Sequence, residues 1–276
     1  MIKRRLSQRL VSPRRFERAA ATQLLGFWRM RGADPSIVRP VVVANGVPKA
    51  GTHLLEAALR PLAMDLGRFV SDYGSSRRVE RQSDEVLLRS LRSARGGELV
   101  RAHLGWSDSL ADWIRAGSGV TRHVLIIRDP RAIAVSECHY VRELNTHHRA
   151  HKSLAARSPA DALLATIQGF SDQGFEQAPL VDRLQRFSEW LNCDGEVVQV
   201  VRFEDLIGMS VGERSNVLAE LLGLKLSDSG EVAPLVAHTF RRGSPDAWRE
   251  EWTDVVDSSF SRSGGPELLT RWGYAE

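Results

Sequence analysis

Residues 41–44 read Val-Val-Val-Ala and run directly into Asn45-Gly46, and from His53 the apolar positions Leu54, Leu55, Ala58, Leu59 and Leu62 fall at helical spacing. A β-branched run closed by a glycine turn and followed by an amphipathic helix is the βα unit of a parallel sheet. Further strands are expected at Glu98–Ala102, His123–Ile127 and Val197–Val201, and helices at Pro130–Asn145, Pro159–Phe170, Pro179–Leu191 and Gly212–Leu222. This alternation predicts one α/β domain over residues 41–276, three layers (α/β/α) around a central parallel sheet. The stretch Tyr73–Arg95, with its Ser, Arg and Gly, reads as a mobile surface region.

The turn itself, Gly46-Val47-Pro48-Lys49-Ala50-Gly51-Thr52, sets one lysine, one hydroxyl and two glycines between strand and helix. Such a turn aims backbone N–H groups and the positive end of a helix at one point, where an anion can sit. The order is not that of a nucleotide triphosphatase, whose GxxxxGK[ST] places lysine after the second glycine; here Lys49 precedes Gly51 by two. A second anion-binding segment follows the strand His123–Ile127. Arg128 stands at the strand's carboxyl end, Pro130 opens a helix, and Ser136 lies about two turns into it. A third is Arg241-Arg242-Gly243, where paired guanidinium groups beside a glycine suit bidentate phosphate binding.

Charge and cysteine usage narrow the class. Residues 1–40 carry ten Lys/Arg against Glu17 and Asp34, a balance of +8, so the formal net charge of +4 leaves the rest of the chain at −4. The basic balance describes an N-terminal arm, and a nucleic-acid footprint over the domain is not expected. Leu6, Leu10, Val11, Phe16, Leu24, Leu25, Phe27 and Trp28 intersperse the basic residues of that arm. Residues 1–31 therefore suit either a helix lying on an anionic membrane or partner, or a basic helix packed on its own domain. No apolar run reaches the roughly 18 to 20 residues of a spanning helix. Cys138 and Cys193 have no CxxC or Cys/His spacing around them, which excludes a disulfide framework and a structural zinc site and fits a cytoplasmic setting. His139, His147, His148 and His151 cluster without a completing Asp, Glu or Cys and read as exposed helix-end histidines.

Taken together, these segments resemble the cytosolic-type sulfotransferases that use 3′-phosphoadenosine 5′-phosphosulfate (PAPS). Pro48-Lys49-Ala50-Gly51-Thr52-His53-Leu54 is similar to that family's PKSGTTW loop, and Arg128-Asp129-Pro130-Arg131 through Val135-Ser136 to its RNPxDxxVS segment. Arg241-Arg242-Gly243 with Trp248 resembles RKGxxGxW, Phe203-Glu204-Asp205-Leu206 resembles YEDL, and Arg101-Ala102-His103-Leu104 resembles KTHLP. Departures are Ala50 for Ser, His53 for Thr, Leu54 for Trp, Phe203 for Tyr and Asp246 for Gly.

The resemblance implies a P-loop-like fold, PAPS as co-substrate and no metal. It makes His103 the base, Lys49 the cation at the leaving oxygen, and Arg101 a further aid at the sulfonate if the strand persists far enough to put Arg101 and His103 on one face. Nucleotide contacts are expected from Lys49, Ala50, Gly51, Thr52, His53, Arg128, Ser136, Phe203, Arg241, Arg242 and Gly243, and the acceptor is a small molecule or saccharide. A nucleotide-dependent phosphotransferase of the same fold and a catalytically degenerate nucleotide-binding module are the competing readings.

Overall fold

The computed structural model describes residues 40–62, 65–72, 82–117, 121–172, 175–195, 197–224 and 244–274. The basic arm and the Arg241-Arg242-Gly243 motif lie outside the described residues.

Strands β1 (Val41–Gly46), β2 (Asp65–Ser71), β3 (Glu98–His103), β4 (Thr121–Ile127) and β7 (Gln199–Arg202) form one sheet in the order β2-β3-β1-β4-β7. Every pairing in it is parallel. The short strands β5 (Phe170–Asp172) and β6 (Phe175–Gln177) make a separate antiparallel pair. The Val-Val-Val-Ala run takes the central place, and all six residues of β1 are buried, as a strand covered on both faces requires.

Alternation along the strands sorts side chains to two faces. Val42, Ala44, Leu99, Val124 and Ile126 pack with Leu55, Ala58 and Leu59 of the helix Thr52–Leu59 and with Leu206 and Leu218 further along. Val43, Val100, Ala102, Leu125 and Ile127 face the opposite layer, which includes Leu87, Leu110, Ile133, Leu163, Trp190 and Phe260. The expected three-layer α/β/α arrangement around a parallel sheet is therefore what the chain adopts.

The structure corrects several expected boundaries. The Tyr73–Arg95 stretch contains the helix Asp84–Arg92, which buries Leu87, Leu88 and Leu91; one apolar stripe at i, i+1 and i+4 outweighs the polar composition. The expected strand at Val197 starts at Gln199, because the N–H groups of Val197 and Val198 turn back to the Asp194 carbonyl. The helix expected over Pro159–Phe170 stops at Gln168, where Gly169 takes a φ of 77° and Phe170 enters β5. The Pro179–Leu191 helix is split into Leu180–Gln185 and a tight turn at Ser188–Asn192. Two C-terminal helices, Asp254–Arg262 and Gly265–Trp272, complete the covering layer.

Candidate active site

The strand-to-helix turn is closed by backbone bonds, with Val47 N–H donating to Ile126 at 3.2 Å and Ala50 N–H to Val47 at 2.9 Å. Two of its residues sit in the left-handed region, Lys49 at φ 70° and Gly51 at φ 102°. Gly51 is required for a second reason: a Cβ there would stand 2.6 Å from the Phe203 ring. Leu54 and Leu55 donate to the Gly51 carbonyl and start the helix, so the N–H groups of Thr52 and His53 precede the first intrahelical bond. The first turn has no acidic residue, leaving its positive end uncompensated. Thr52 Oγ1 is buried with no protein partner. An anion at this turn would meet N–H groups, a hydroxyl and the helix dipole together, so the residues present fit a phosphate or phosphosulfate.

Three cations converge on the turn. Lys49 Nζ lies 3.9 Å above the Tyr140 ring. Burial, opposed by Glu137 and reinforced by Arg128, brings the lysine down to about 8. Arg128, just past β4, stacks 4.3 Å over Phe203 and donates to the Lys49 carbonyl at 3.4 Å, while its Nε is buried without a partner. Arg101 approaches Glu56 at 3.6 Å, and its Nε is likewise buried and unpartnered. Glu56 is 3% exposed and also holds Arg60 at 2.8 Å. Burial pushes the Glu56 carboxyl up, but His53, Arg60 and Arg101 around it more than reverse this and hold it at about 2.

Strand β3 persists to His103, so Arg101 and His103 do share a face, the one that packs toward the helix Thr52–Leu59. His103 Nδ1 donates to the Gly46 carbonyl. A carbonyl can only accept, so this bond assigns the proton to Nδ1 and leaves Nε2 as the acceptor. Burial, aided by the nearby charges of His53 and Lys49 and opposed by the Gly46 bond, lowers His103 to about 4, so the ring is neutral at pH 7. Phe69 meets it edge-on at 5.2 Å.

These groups line one cavity of about 390 Å³. Of the residues expected from the sequence, Lys49, Gly51, Thr52, His53, Arg101, His103, Arg128, Ser136 and Phe203 are brought together there. Ala50 is not among the lining residues: its methyl is buried in the core and its N–H is spent on Val47. Glu56, Phe69 and Tyr140 line the cavity without having been expected. Glu56 had a sequence signal, a carboxylate within an apolar helical pattern three residues after His53. Phe69 lies in a strand that the pattern did not reveal, whereas Tyr140 follows Ala132 and Ser136 at helical spacing along the cavity-facing side of the same helical segment.

The Arg128-Asp129 segment is braced from behind. Asp129 N–H donates to Glu204 at 3.1 Å, and Tyr274 O–H donates to the other Glu204 oxygen at 2.7 Å. Asp129 also caps the helix Pro130–His139 and pairs with Arg131 at 2.8 Å, and Arg131 in turn stacks 4.3 Å over Trp248. The expectation of exposed histidines without a carboxylate partner fails at His139, whose side chain is 12% exposed and bridges Glu143 and the distant Glu251, while His151 Nδ1 bonds the Val141 carbonyl. Among the described residues, no group of three or more His, Cys, Asp or Glu is placed to hold a metal ion, and no helix is long and apolar enough to cross a membrane.

No protein-family model and no curated protein matches the chain. Among solved structures, mouse sulfotransferase SULT7A1 complexed with PAP matches 85% of this chain and 86% of that one at 17% identity, with a TM-score of 0.55. Retinol dehydratase in complex with androsterone and inactive cofactor PAP matches 87% and 83% at 15% identity, with a TM-score of 0.45. The likeness to SULT7A1 is one of architecture, a parallel five-stranded sheet flanked by helices. The chain is built on the sulfotransferase fold.

Proposed function

We propose that this protein is a PAPS-dependent sulfotransferase that moves a sulfuryl group to a hydroxyl or amine of a small-molecule or saccharide acceptor. The observation that carries the reading is the neutral His103, held as the Nδ1–H tautomer by Gly46, lining the same cavity as Lys49, Arg101, Arg128 and the uncapped helix start. The PAP complex of SULT7A1, a protein of the same fold, supports a 3′,5′-adenosine bisphosphate (PAP) moiety as the nucleotide. The transferase domain of this reading is residues 41–276, preceded in sequence by the basic arm 1–40.

The transfer is an in-line displacement at sulfur. The acceptor oxygen forms the new S–O bond, the bond from sulfur to the oxygen of the 5′-phosphate breaks, and the acceptor proton passes to His103 Nε2. Negative charge grows on the departing phosphate oxygen, and the largely buried Lys49 ammonium is suited to hold it. Arg101, steadied by Glu56, supplies a second cation to the sulfonate, and Thr52 Oγ1 a hydrogen bond. Arg128 and Ser136 are assigned to the second phosphate, beyond the carboxyl end of β4.

The test is transfer of labelled sulfuryl from PAPS across acceptor classes, with calorimetry of PAP binding in magnesium-free buffer. Replacing His103 with Ala should leave PAP affinity within about twofold and lower turnover by about 10²- to 10⁴-fold, the range of a lost general base. Unchanged turnover removes His103 as the base; absence of both transfer and PAP binding overturns the function.

A further inference from the structure

Past the last paired residues, Asn45↔Ala102, the ladder between β1 and β3 is replaced by a reciprocal set of side-chain bonds. Asn45 Nδ2 donates to the Leu104 carbonyl at 2.9 Å, and Asn45 Oδ1 accepts the Leu104 N–H at 2.8 Å. In the other direction, His103 Nδ1 donates to the Gly46 carbonyl. The side chain of residue 45 thus grips the backbone of 104, and the side chain of residue 103 grips the backbone of 46. The same strand end is held from two more sides. Trp190 Nε1 gives the Leu104 carbonyl a second bond at 2.9 Å, while Asp72 donates its N–H to His103 O at 3.1 Å and accepts the Gly105 N–H on its carboxylate at 3.0 Å. Asn45, Trp190 and Asp72 are all fully buried.

We infer that Asn45 is a positioning residue for His103. The ends of parallel strands leave backbone donors and acceptors that the ladder no longer serves, and a primary amide on a short arm offers one of each to a single residue. By serving Leu104 in this way, Asn45 fixes how far β3 stands from β1 immediately beside His103. That separation lets Nδ1–H reach the Gly46 carbonyl, and so selects the tautomer whose free Nε2 is the base. Asn45 acts from outside the cavity: it shares a strand parity with Val41 and Val43, which pack on the opposite sheet face, and it does not line the site. The consequence for sulfuryl transfer rests on the function proposed above; the consequence for the tautomer does not.

The experiment uses the full chain, with Asn45→Ala and the near-isosteric Asn45→Leu, which keeps the volume but has neither a donor nor an acceptor for the Leu104 backbone. Long-range ¹H–¹⁵N imidazole spectra of the nucleotide-free protein report the His103 tautomer, calorimetry reports PAP affinity, and single-turnover reactions report transfer. The wild type should show protonated Nδ1 and bare Nε2. In Asn45→Ala the two tautomers should mix, and transfer should fall by about tenfold or more while PAP affinity stays within about twofold, as expected when a reacting group is misplaced and binding groups are not. Where Asn45→Ala does not fold, the same shifts are read in Asn45→Leu. A folded variant with an unchanged tautomer, or a changed tautomer with undiminished transfer, overturns the inference. A wild type that shows the tautomer but transfers nothing overturns the proposed function and leaves the positioning of His103 standing.

Discussion

Raising the pH from 7 to 9 should weaken PAP binding about tenfold, and the cause is Lys49. Burial beside Arg128 holds its ammonium at about 8 in the free protein. An anion in the cradle returns the lysine to its ordinary range or above, because a facing negative charge favours the protonated form. Only the protonated lysine then attracts the ligand fully, so affinity follows its protonated fraction in the free state: about 0.9 at pH 7, 0.5 at pH 8 and 0.1 at pH 9. Arg128 stays charged, phosphate monoesters lose their second proton near pH 6, and His103 titrates at about 4. Binding at pH 8 should therefore take up about half a proton. Calorimetry of PAP in two buffers of different ionisation enthalpy measures both quantities, and Lys49→Met supplies the control, weaker at pH 7 and flat with pH. Constant affinity from pH 7 to 9 with no proton uptake would refute the argument.

Two further outcomes follow from buried polar groups. His123 is 2% exposed against Trp190 at 4.7 Å, neither ring nitrogen has a partner, and burial lowers it to about 3. Below pH 6.5 the unfolded chain binds a proton there that the folded chain refuses, so stability is present above that pH and lost as the pH falls, by up to about 1.4 kcal/mol per unit until about 3. His123→Phe should stabilise the protein by about 1–3 kcal/mol and flatten the pH dependence of urea unfolding between pH 6 and 4; an unchanged slope removes His123 as the cause. Tyr274→Phe removes the hydroxyl that steadies Glu204 behind Asp129. PAP affinity measured by calorimetry should drop by about threefold to tenfold through a looser Arg128, in keeping with one lost bond to a charged acceptor, and unaltered affinity means the brace is structural only.

Much of the fold was legible because its signals are local. The Val41–Ala44 run, the helical spacing after His53 and the Arg128-to-Ser136 segment each lie within a dozen residues, and the structure adopts all three. The helix Asp84–Arg92 was hidden because Ser and Arg around it outnumber its three buried leucines. Strand β2 was missed because an edge strand needs only one partner and carries little apolar pattern. The motif at Arg241-Arg242-Gly243 stands on sequence alone, since it lies outside the described residues.

What the amino-acid order determined by itself was the strand-to-helix turn, since glycine at residue 51, a lysine two positions before it and an uncapped helix start are properties of contiguous residues. The state of the groups around the turn was decided only by tertiary packing. Lys49 is depressed chiefly because packing buries it, with Arg128, 79 positions away, adding to the effect, and Glu56, held down by His53 and Arg60 on its own helix, also gains Arg101 from β3. His103 carries its proton on Nδ1 and leaves Nε2 bare because Gly46, 57 positions distant, accepts at Nδ1. Protonation and tautomer depend on burial and on which partner a fold delivers, and neither quantity exists for a residue until distant strands have met.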